Sequence, residues 1–418
     1  MTFVRPDGLA GALMAAEGFT DVTTVLHGPG GCRFRYMRLA SELSPKKTDP
    51  PCPRDRNFFF GVPRIPSTFL DEFDYIYGGS ERLDGVLKEV SVEDGYIAVV
   101  ESPAAALIGD DVGSAVSRNG MEDRVLVLRK HLVSMPMNEG FDEMCREAVR
   151  FVSPEGSETE RGSVNLIGLP ILCKDWEGSI EELTRILDLM GLKVNMSIGS
   201  GCSIADLNES TSAEFNVAVF PEFCQGTASM VEQGYVIPTV GSGFAPIGFG
   251  PVREWIRAVA EQTGKDPSKA LEYVDGTDRK ARRILKSDAR RASTTHGMHY
   301  SINAGASVAY PLVRWFYEYL SMIPDSIEVP FGLPGTADLL ESFLSERSLE
   351  GSFTAAPVGG DLMVSSGDYA HMCHLSGDYA SYLDVGFPPG RGFNFRNGTI
   401  LGATGAMNIL DSLYGRRD

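Results

Sequence analysis

The chain has 418 residues, of which 43% are hydrophobic and 22% are charged, and its formal net charge at pH 7 is −18. This composition is ordinary for a soluble globular protein, and the length predicts about three compact units rather than one core. The negative charge argues against broad binding to nucleic acids or anionic membranes, because both surfaces would repel the chain at long range.

The N-terminal stretch MTFVRPDGLAGALMAAEGF contains Asp7 and Glu17 and lacks a cationic leader with a cleavage site. We therefore expect a mature, cytoplasmic protein. The most apolar later stretch, YIAVVESPAAALIG, is interrupted by Glu101 and Pro103 and is shorter than the roughly 20 apolar residues that span a bilayer. The sequence predicts no membrane span.

The N-terminal part of the chain alternates strand and helix patterns around unusually long loops. DVTTVLHG and YIAVVE are typical of strands, and FDYIYGGSERLDGVLKEV is typical of a helical segment. The segment KKTDPPCPRDRNFFFGVPRIP contains five prolines around Cys52, too irregular for the interior of a helix or strand. Loops of this length in a compact domain are usually functional or mobile.

The motif HGPGGC, residues 27–32, follows the first strand pattern directly. Its glycines permit a sharp reversal and its proline stiffens the turn, so Cys32 is predicted to begin a helix. The positive end of that helix, with Arg33, Arg35 and Arg38 nearby, is expected to favour the thiolate. Such a sulfur is a metal ligand or a nucleophile; the alternative is a tight turn followed by an inert cysteine.

Cys52 is the natural partner of Cys32, because it lies in a second Gly- and Pro-flanked loop of the same region. Iron–sulfur clusters generally take four protein ligands, so two cysteines per chain indicate a cluster shared between subunits or an unidentified oxygen or histidine ligand. A zinc site would have the same shortfall. We interpret the remaining cysteines as buried thiols: Cys145, Cys173, Cys202, Cys224 and Cys373.

From about residue 160 the pattern is that of repeated βαβ units, which predicts parallel strands. SVNLIGLPIL, LKVNMSI and EFNVAVFP are typical of strands, and SIEELTRILDLMG is typical of an amphipathic helix. We expect Ser179 to be the N-cap of that helix, with Glu182 three residues later, and Gly191 to end it.

A second α/β run begins near residue 300, with a helix in INAGASVAYPLVRWFYEYLSM, strands in SIEVPF, DLMVSS and YLDVGF, and a last helix from Thr399 to about Leu413. A charged, helical stretch at residues 261–293 separates the two runs and is predicted to connect them. The predicted domains are an N-terminal cluster-binding α/β domain (1–160), a middle Rossmann-like domain (161–285) and a C-terminal Rossmann-like domain (286–418).

Other motifs favour structural interpretations. Two histidine pairs have a spacing that could hold a metal on a helix face, although surface or pocket histidines are the favoured interpretation: His296 with His299, and His371 with His374. Asp110 and Asp111 are expected to cap a helix that begins near Val112. The Gly-rich stretches lack the Lys-Ser/Thr of a P-loop, so ATP is not expected to bind this chain.

Five motifs in order resemble the nitrogenase component 1 family, which includes the nitrogenase α and β subunits and several tetrapyrrole reductases. They are HGPGGC at residues 27–32, YGGSERL at 77–83, ESPAAALIGDDV at 101–112, PIGFGPVREWIRAVA, and the closing GFPPGRGFNFRNGTILGATGAMNIL. The resemblance spans nearly the whole chain and implies three Rossmann-like α/β domains with doubly wound parallel sheets. The start of the chain and the CRFRYMRL helix look closest to the tetrapyrrole reductive cyclase branch, which builds the nickel coenzyme of methanogenesis.

The resemblance implies a 4Fe-4S cluster near a subunit interface, with Cys32 as its first ligand. Where the family commonly has a cysteine ahead of LIGDD, this chain has Ser102, which puts one expected ligand in doubt. Cys52 is predicted to take its place, so that Cys32 and Cys52 from each of two chains would supply four thiolates. A related partner subunit completing the set in a heterodimer, Ser102 as an oxygen ligand, and Ser102 as a plain strand-end hydroxyl are the alternatives.

The resemblance also implies a redox enzyme that takes electrons from an ATP-dependent iron–sulfur reductase and reduces a substrate, with a tetrapyrrole as the first candidate, in a cleft between domains. Phe220 falls where the nitrogenase α subunit has its cofactor cysteine, and Cys224 lies four residues away, so dinitrogen reduction is not favoured. The alternatives are a scaffold or carrier for metallocofactor assembly and a cluster-free relative.

Overall fold

The computed structural model describes residues 5–45, 64–90, 95–128, 130–353, 359–390 and 396–415. Cys52 lies outside these residues, so the structure does not test its predicted role. The described residues form three separate parallel sheets covered by helices. The predicted α/β class with doubly wound parallel sheets is confirmed.

The strands run in chain order through the three sheets. They are β1 (Val22–His27), β2 (Tyr96–Glu101), β3 (Val125–Val127), β4 (Glu160–Ile167), β5 (Lys193–Ser197), β6 (Ala213–Ala218), β7 (Thr239–Val240), β8 (His299–Asn303), β9 (Ile323–Glu328), β10 (Gly360–Ser365) and β11 (Tyr379–Asp384). The sheet orders are β1-β2-β3, β5-β4-β6-β7 and β11-β10-β8-β9. The strand order reverses between β4 and β6 and between β8 and β10, so these two sheets each have a switch point at which crevices open beyond the strand ends.

Sixteen α-helices connect and cover the strands within the described residues. They are α1 (Gly8–Gly18), α2 (Gly30–Leu43), α3 (Glu72–Tyr77), α4 (Ser80–Val90), α5 (Pro103–Ala106), α6 (Val112–Arg118), α7 (Met137–Val152), α8 (Trp176–Leu189), α9 (Gln225–Tyr235), α10 (Phe249–Thr263), α11 (Ser268–Ser287), α12 (Ala289–Ala292), α13 (Ala306–Trp315), α14 (Pro334–Ser345), α15 (Gly367–Leu375) and α16 (Gly402–Tyr414). The helix predicted after Cys32, the charged helical connector and the last helix are all present.

The predicted cap of α8 is wrong. Asp175, not Ser179, is the N-cap, and its side chain accepts the N–H of Gly178. The side chain of Ser179 instead pairs with Thr399 at 2.7 Å. Gly191 does follow the end of the helix with a φ of +75°, a left-handed conformation that glycine adopts without a steric penalty.

The three units share one continuous apolar core. Helix α1 packs along α7, and α16, which follows the last strand, returns to pack on α8 and α11 of the middle unit. One cluster of buried residues runs through all three units, from Leu9 to Leu410. The cysteines expected to be core thiols are buried, as predicted: Cys145, Cys173, Cys202, Cys224 and Cys373.

The sheets fall one into each predicted domain range, and β4 begins at Glu160, one residue before the predicted boundary; the boundaries themselves stay predictions. In the described part of the chain, every helix is too short or too polar to cross a bilayer.

Candidate functional site

The HGPGGC turn joins β1 to α2 at the carboxyl edge of the first sheet. Pro29 is the N-cap of α2, and the N–H of Cys32 bonds to the carbonyl of Pro29 at 3.1 Å. Cys32 therefore lies in the first turn of the helix, as the sequence predicted, and is partly buried. A Cβ built on Gly28 would lie 2.4 Å from the Oγ of Ser102, so a side chain at Gly28 would collide with Ser102.

Ser102 lies directly against this turn. Its side chain is fully buried, and its Oγ accepts the N–H of Ala105 at 3.1 Å as the N-cap of α5. Its backbone N–H donates to the carbonyl of His27 at 2.9 Å. The hydroxyl thus has a structural partner at the strand end, and the oxygen-ligand role of Ser102 stays a prediction.

His27 fixes the turn from inside. Its ring is buried, with Nε2 at 3.0 Å from Asp110 Oδ2 and Nδ1 at 3.2 Å from the hydroxyl of Thr68. Burial lowers the pKa of His27, more than the neighbouring Asp110 raises it, so the ring favours its neutral form. These partners lie far apart in the sequence, which is why the sequence did not identify the network.

Asp110 also departs from its prediction as a cap of the helix near Val112. Its carboxylate accepts the N–H of Gly79 at 2.9 Å, at the start of α4, as well as bonding His27. Asp111 alone caps α6, by accepting the N–H of Ser114 at 2.9 Å. The carboxylate of Asp110 therefore joins the YGGSERL and HGPGGC motifs, which explains their joint presence.

The prediction of a depressed pKa at Cys32 is wrong for the chain by itself. Burial raises the pKa of the Cys32 thiol and the nearby Asp7 carboxylate raises it further, while Arg35 opposes them. The other two arginines are engaged elsewhere: Arg33 donates to the carbonyl of Ile65 at 2.7 Å, and Arg38 pairs with Glu42 and Asp368. The thiol is therefore protonated near neutral pH until a metal or another cation replaces the proton.

Exposed aromatic and apolar side chains surround the Cys32 turn. We call them the aromatic patch: Phe34, Phe69, Phe73, Tyr75, Ile76 and Tyr77. Phe69 lies against Gly30, and Tyr75 is close enough to Cys32 for the two to interact electrostatically. Phe73 and Tyr77 are 66% and 71% exposed. Contiguous exposed apolar surface of this kind marks an interaction site.

A separate cleft of about 220 Å³ opens at the switch point of the third sheet. It is lined by residues that follow three of the strands, and by α7 and the N-terminal segment: Asn303, Gly305, Phe331, Ser365, Ser366, Tyr369, Phe387, Met137, Pro136, Pro6 and Arg5 among them. Arg5 pairs across its rim with Glu328 at 2.5 Å. The sequence predicted a cleft between domains at strand ends, and the structure contains one.

Comparison with known proteins accounts for this arrangement. Residues 8–416 match the family model described as nitrogenase component 1 type oxidoreductase. The chain belongs to the nitrogenase component 1 type oxidoreductase family. The solved structure "Nitrogenase Cp1 at pH 6.5" has the same fold, with a TM-score of 0.75 and 18% identity over 99% of this chain and 93% of that one.

Curated relatives of this family member include one of the subunits of light-independent protochlorophyllide reductase. The protein from Chlorobium luteolum is 26% identical over 258 residues, 61% of this chain and 46% of the relative. The protein from Dinoroseobacter shibae is 28% identical over 261 residues, again 61% and 46%. The matched region is thus less than half the length of these relatives.

The remaining candidate metal positions of this family member do not form sites. His296 ends a 3₁₀ turn and His299 begins β8, so the helix-face prediction is wrong for that pair; His371 and His374 lie on α15, as predicted, beside the ring of Tyr382. Within the described ranges no three His, Cys, Asp or Glu side chains are grouped to hold a metal.

The two positions considered for a nitrogenase cofactor ligand are also core positions. Phe220 is fully buried, and the thiol of Cys224 contacts the backbone carbonyls of Phe220 and Pro221. Burial raises the pKa of Cys224 well above its usual value. Neither residue presents a thiolate to the cleft.

Proposed function

We propose that this chain is the catalytic subunit of a nitrogenase-like reductase, which takes electrons from an ATP-dependent iron–sulfur reductase and reduces a tetrapyrrole in the cleft. The observation that carries the proposal is the placement of Cys32 at a helix start within the aromatic patch, apart from the cleft. The thiol is at a surface that a partner would cover. The cleft lies inside the chain, at the strand ends.

The residues at the Cys32 turn fit an iron–sulfur cluster shared between two chains. Cys32 is a partly buried thiol at the positive end of a 14-residue helix, which suits an anionic thiolate–cluster unit. One thiol is too few, so Cys32 and Cys52 of two copies, or of this chain and a related subunit, would hold a 4Fe-4S cluster. Such a cluster, when bound, supplies one-electron transfer.

The cleft supports a planar, partly apolar substrate. Its walls combine the rings of Phe331 and Phe387 with the hydroxyls of Ser365 and Tyr369. Its volume, about 220 Å³, is below the 300–1,000 Å³ or so of typical ligand pockets, so the cleft must widen to admit a tetrapyrrole. The matched relatives are named for the reduction of protochlorophyllide, a tetrapyrrole, and this likeness supports the substrate class.

Iron and sulfide content of anaerobically purified protein tests the cluster. We expect about four irons per dimer, with loss of iron in both Cys32→Ala and Cys52→Ala. Cys145→Ala is the matched control, since that thiol is buried in the core, and it should retain its iron. Full iron in Cys52→Ala would contradict the proposed ligand set.

Turnover separates an enzyme from a scaffold or carrier, because both would bind iron. The iron-loaded protein is mixed anaerobically with an ATP-dependent reductase encoded in the same genome, and with protochlorophyllide or nickel-loaded sirohydrochlorin a,c-diamide. We expect ATP-dependent oxidation of the reductase together with reduction of one of these tetrapyrroles. A protein that never oxidises the reductase, whichever tetrapyrrole is offered, is not this enzyme.

A further inference from the structure

A buried carboxyl group lies beneath the cleft where the three units meet. Glu222 follows β6 in a 3₁₀ turn and is only 3% exposed. Asn138 of α7 donates its amide to the backbone carbonyl of Glu222 at 2.9 Å. Ser307, at the start of α13, donates its hydroxyl to Oε1 at 2.7 Å and its backbone N–H at 3.3 Å.

The second carboxyl oxygen of Glu222 is different. Oε2 is buried and has no hydrogen-bond partner among the described residues, and the same holds for Oδ1 of Asn138. An ionised carboxylate left half-bonded in the interior is costly, whereas a neutral carboxyl is much less so. Burial raises the pKa of Glu222, against the opposing effect of Ser307. The geometry thus favours a carboxyl whose proton is on Oε2.

The surroundings of Glu222 supply no cation among the described residues. Cys224, in its own segment, is an ionisable neighbour, and its thiol is also held neutral by burial. Asp142 of α7 is committed to the start of α9, where it accepts the N–H groups of Gly226 and Thr227. From α13, the partner is the neutral hydroxyl of Ser307.

Only the backbone of Gly305 separates this carboxyl from the cleft. Gly305 lines the cleft, and a Cβ built on it would lie 2.7 Å from Oε1 of Glu222 and 2.5 Å from the ring of Phe331. Glycine therefore allows the acid and the cleft wall to approach each other. The Oε2 atom is closed off from the narrow cleft, so contact requires the widening that a tetrapyrrole itself demands.

A second buried glutamate provides the comparison. Glu182 is 1% exposed and caps α16 much as Glu222 caps α13, by accepting the N–H and hydroxyl of Thr404 at 3.0 and 2.7 Å. Tyr273 donates to the same carboxylate, so both of its oxygens are bonded. Capping a helix across a unit boundary thus does not require a spare oxygen, and Glu222 has one.

We infer that Glu222 is the acid that protonates the substrate reduced in the cleft, an inference that rests on the proposed function. Reduction of one carbon–carbon double bond consumes two electrons and two protons. The electrons come from the iron–sulfur reductase; one proton leaves Oε2 as its O–H bond breaks and a C–H bond forms on the substrate, and the other comes from water. The remaining carboxylate of Glu222 takes up a proton from solvent before the next cycle.

The protonation state is measured first, without turnover. Infrared difference spectra of wild type against Glu222→Gln, in H₂O and D₂O at pH 7, should contain the carbonyl band of a protonated carboxyl with its isotope shift. Glu182→Gln is the matched control and should not remove that band. Absence of the band from wild type overturns the inference.

Turnover is measured next, with protochlorophyllide or nickel-loaded sirohydrochlorin a,c-diamide. Glu222→Gln keeps the size and the Ser307 contact, so iron content and oxidation of the reductase should match wild type while substrate reduction falls about 10²-fold or more. Wild-type turnover should fall as pH rises through the raised pKa of Glu222, and Glu222→Gln should lose that limb.

Two results would overturn the assignment to Glu222: reduction within twofold of wild type, or a slower reaction that keeps the wild-type pH profile, which indicates a structural role. Glu182→Gln should keep the profile even where it lowers the melting temperature. A wild-type protein that reduces neither tetrapyrrole overturns the proposed function instead, and the two failures are therefore distinguishable.

Discussion

The Cys32 turn and the cleft are built in opposite ways. The turn presents a thiol at the surface, among exposed rings, with a single described cysteine where a cluster needs several ligands. The cleft is enclosed by elements of the same chain and contains acid, amide and hydroxyl groups. The difference teaches that electron entry depends on a partner, whereas substrate chemistry depends on the packing of this chain alone.

The largest effect expected is that of Gly28→Ala on the cluster site. The new methyl would lie 2.4 Å from Ser102 Oγ and 2.7 Å from its Cβ, and the Ser102 side chain is buried. We expect a loss of about 1–3 kcal/mol of unfolding free energy, measured by urea denaturation, and loss of most of the bound iron. The shape of the cleft should not change.

Gly31→Ala is the control for that variant, because nothing described lies within 4 Å of the new methyl. It should retain iron and gain slightly in helix stability. The double variant Gly28→Ala with Ser102→Gly restores the space and should regain iron. If it does not, either the collision is not the cause or the Ser102 hydroxyl is a ligand, and Ser102→Gly alone distinguishes these.

Gly305→Ala tests the opposite half of the comparison. Its methyl would displace Glu222 and Phe331 at the cleft floor, and a shift of about 1 Å in positioned groups can cost about 10²-fold in rate. We expect turnover to fall by that order while iron content stays at the wild-type level. Gly335→Ala, on an open face of α14, should leave both unchanged; a parallel loss of iron in Gly305→Ala would show that the two sites are coupled.

The smallest effect concerns the charge beside Cys32. Because Asp7 raises the pKa of Cys32 and Arg35 lowers it, Asp7→Asn should speed alkylation of the iron-free thiol by iodoacetamide at pH 8, and Arg35→Gln should slow it. Each change should be about threefold, half a pKa unit. Asparagine can still cap α1, so the fold is retained. Changes of the same sign in both variants would refute the electrostatic explanation.

The sequence predicted the features that depend on local pattern. Parallel strands, the helix after Cys32, the buried cysteines and the cleft at strand ends all follow from periodicity, glycine turns and the known geometry of parallel sheets. The sequence failed where a side chain has a partner far along the chain. Asp110 was expected to cap its own helix but bonds His27, 83 residues away, and the arginines near Cys32 were expected to assist its ionisation but bond to other groups.

Glu222 shows the same limit more strongly. No local pattern distinguishes it from a surface glutamate, because its burial results from α7 and α13, whose contacts are 84 and 85 residues away. The ligand roles of Cys32, Cys52 and Ser102 depend on a further step, the docking of a second subunit, which neither the sequence nor one chain contains.

The return of α16 to the middle unit has a consequence for synthesis of the protein. Thr404 bonds Glu182 from 222 residues farther along the chain, and α16 covers apolar faces of α8 and α11. While the ribosome is still translating the third unit, the middle unit therefore exposes part of its core to the crowded cell. Chaperone protection during that interval should matter more for this protein than its finished stability would suggest.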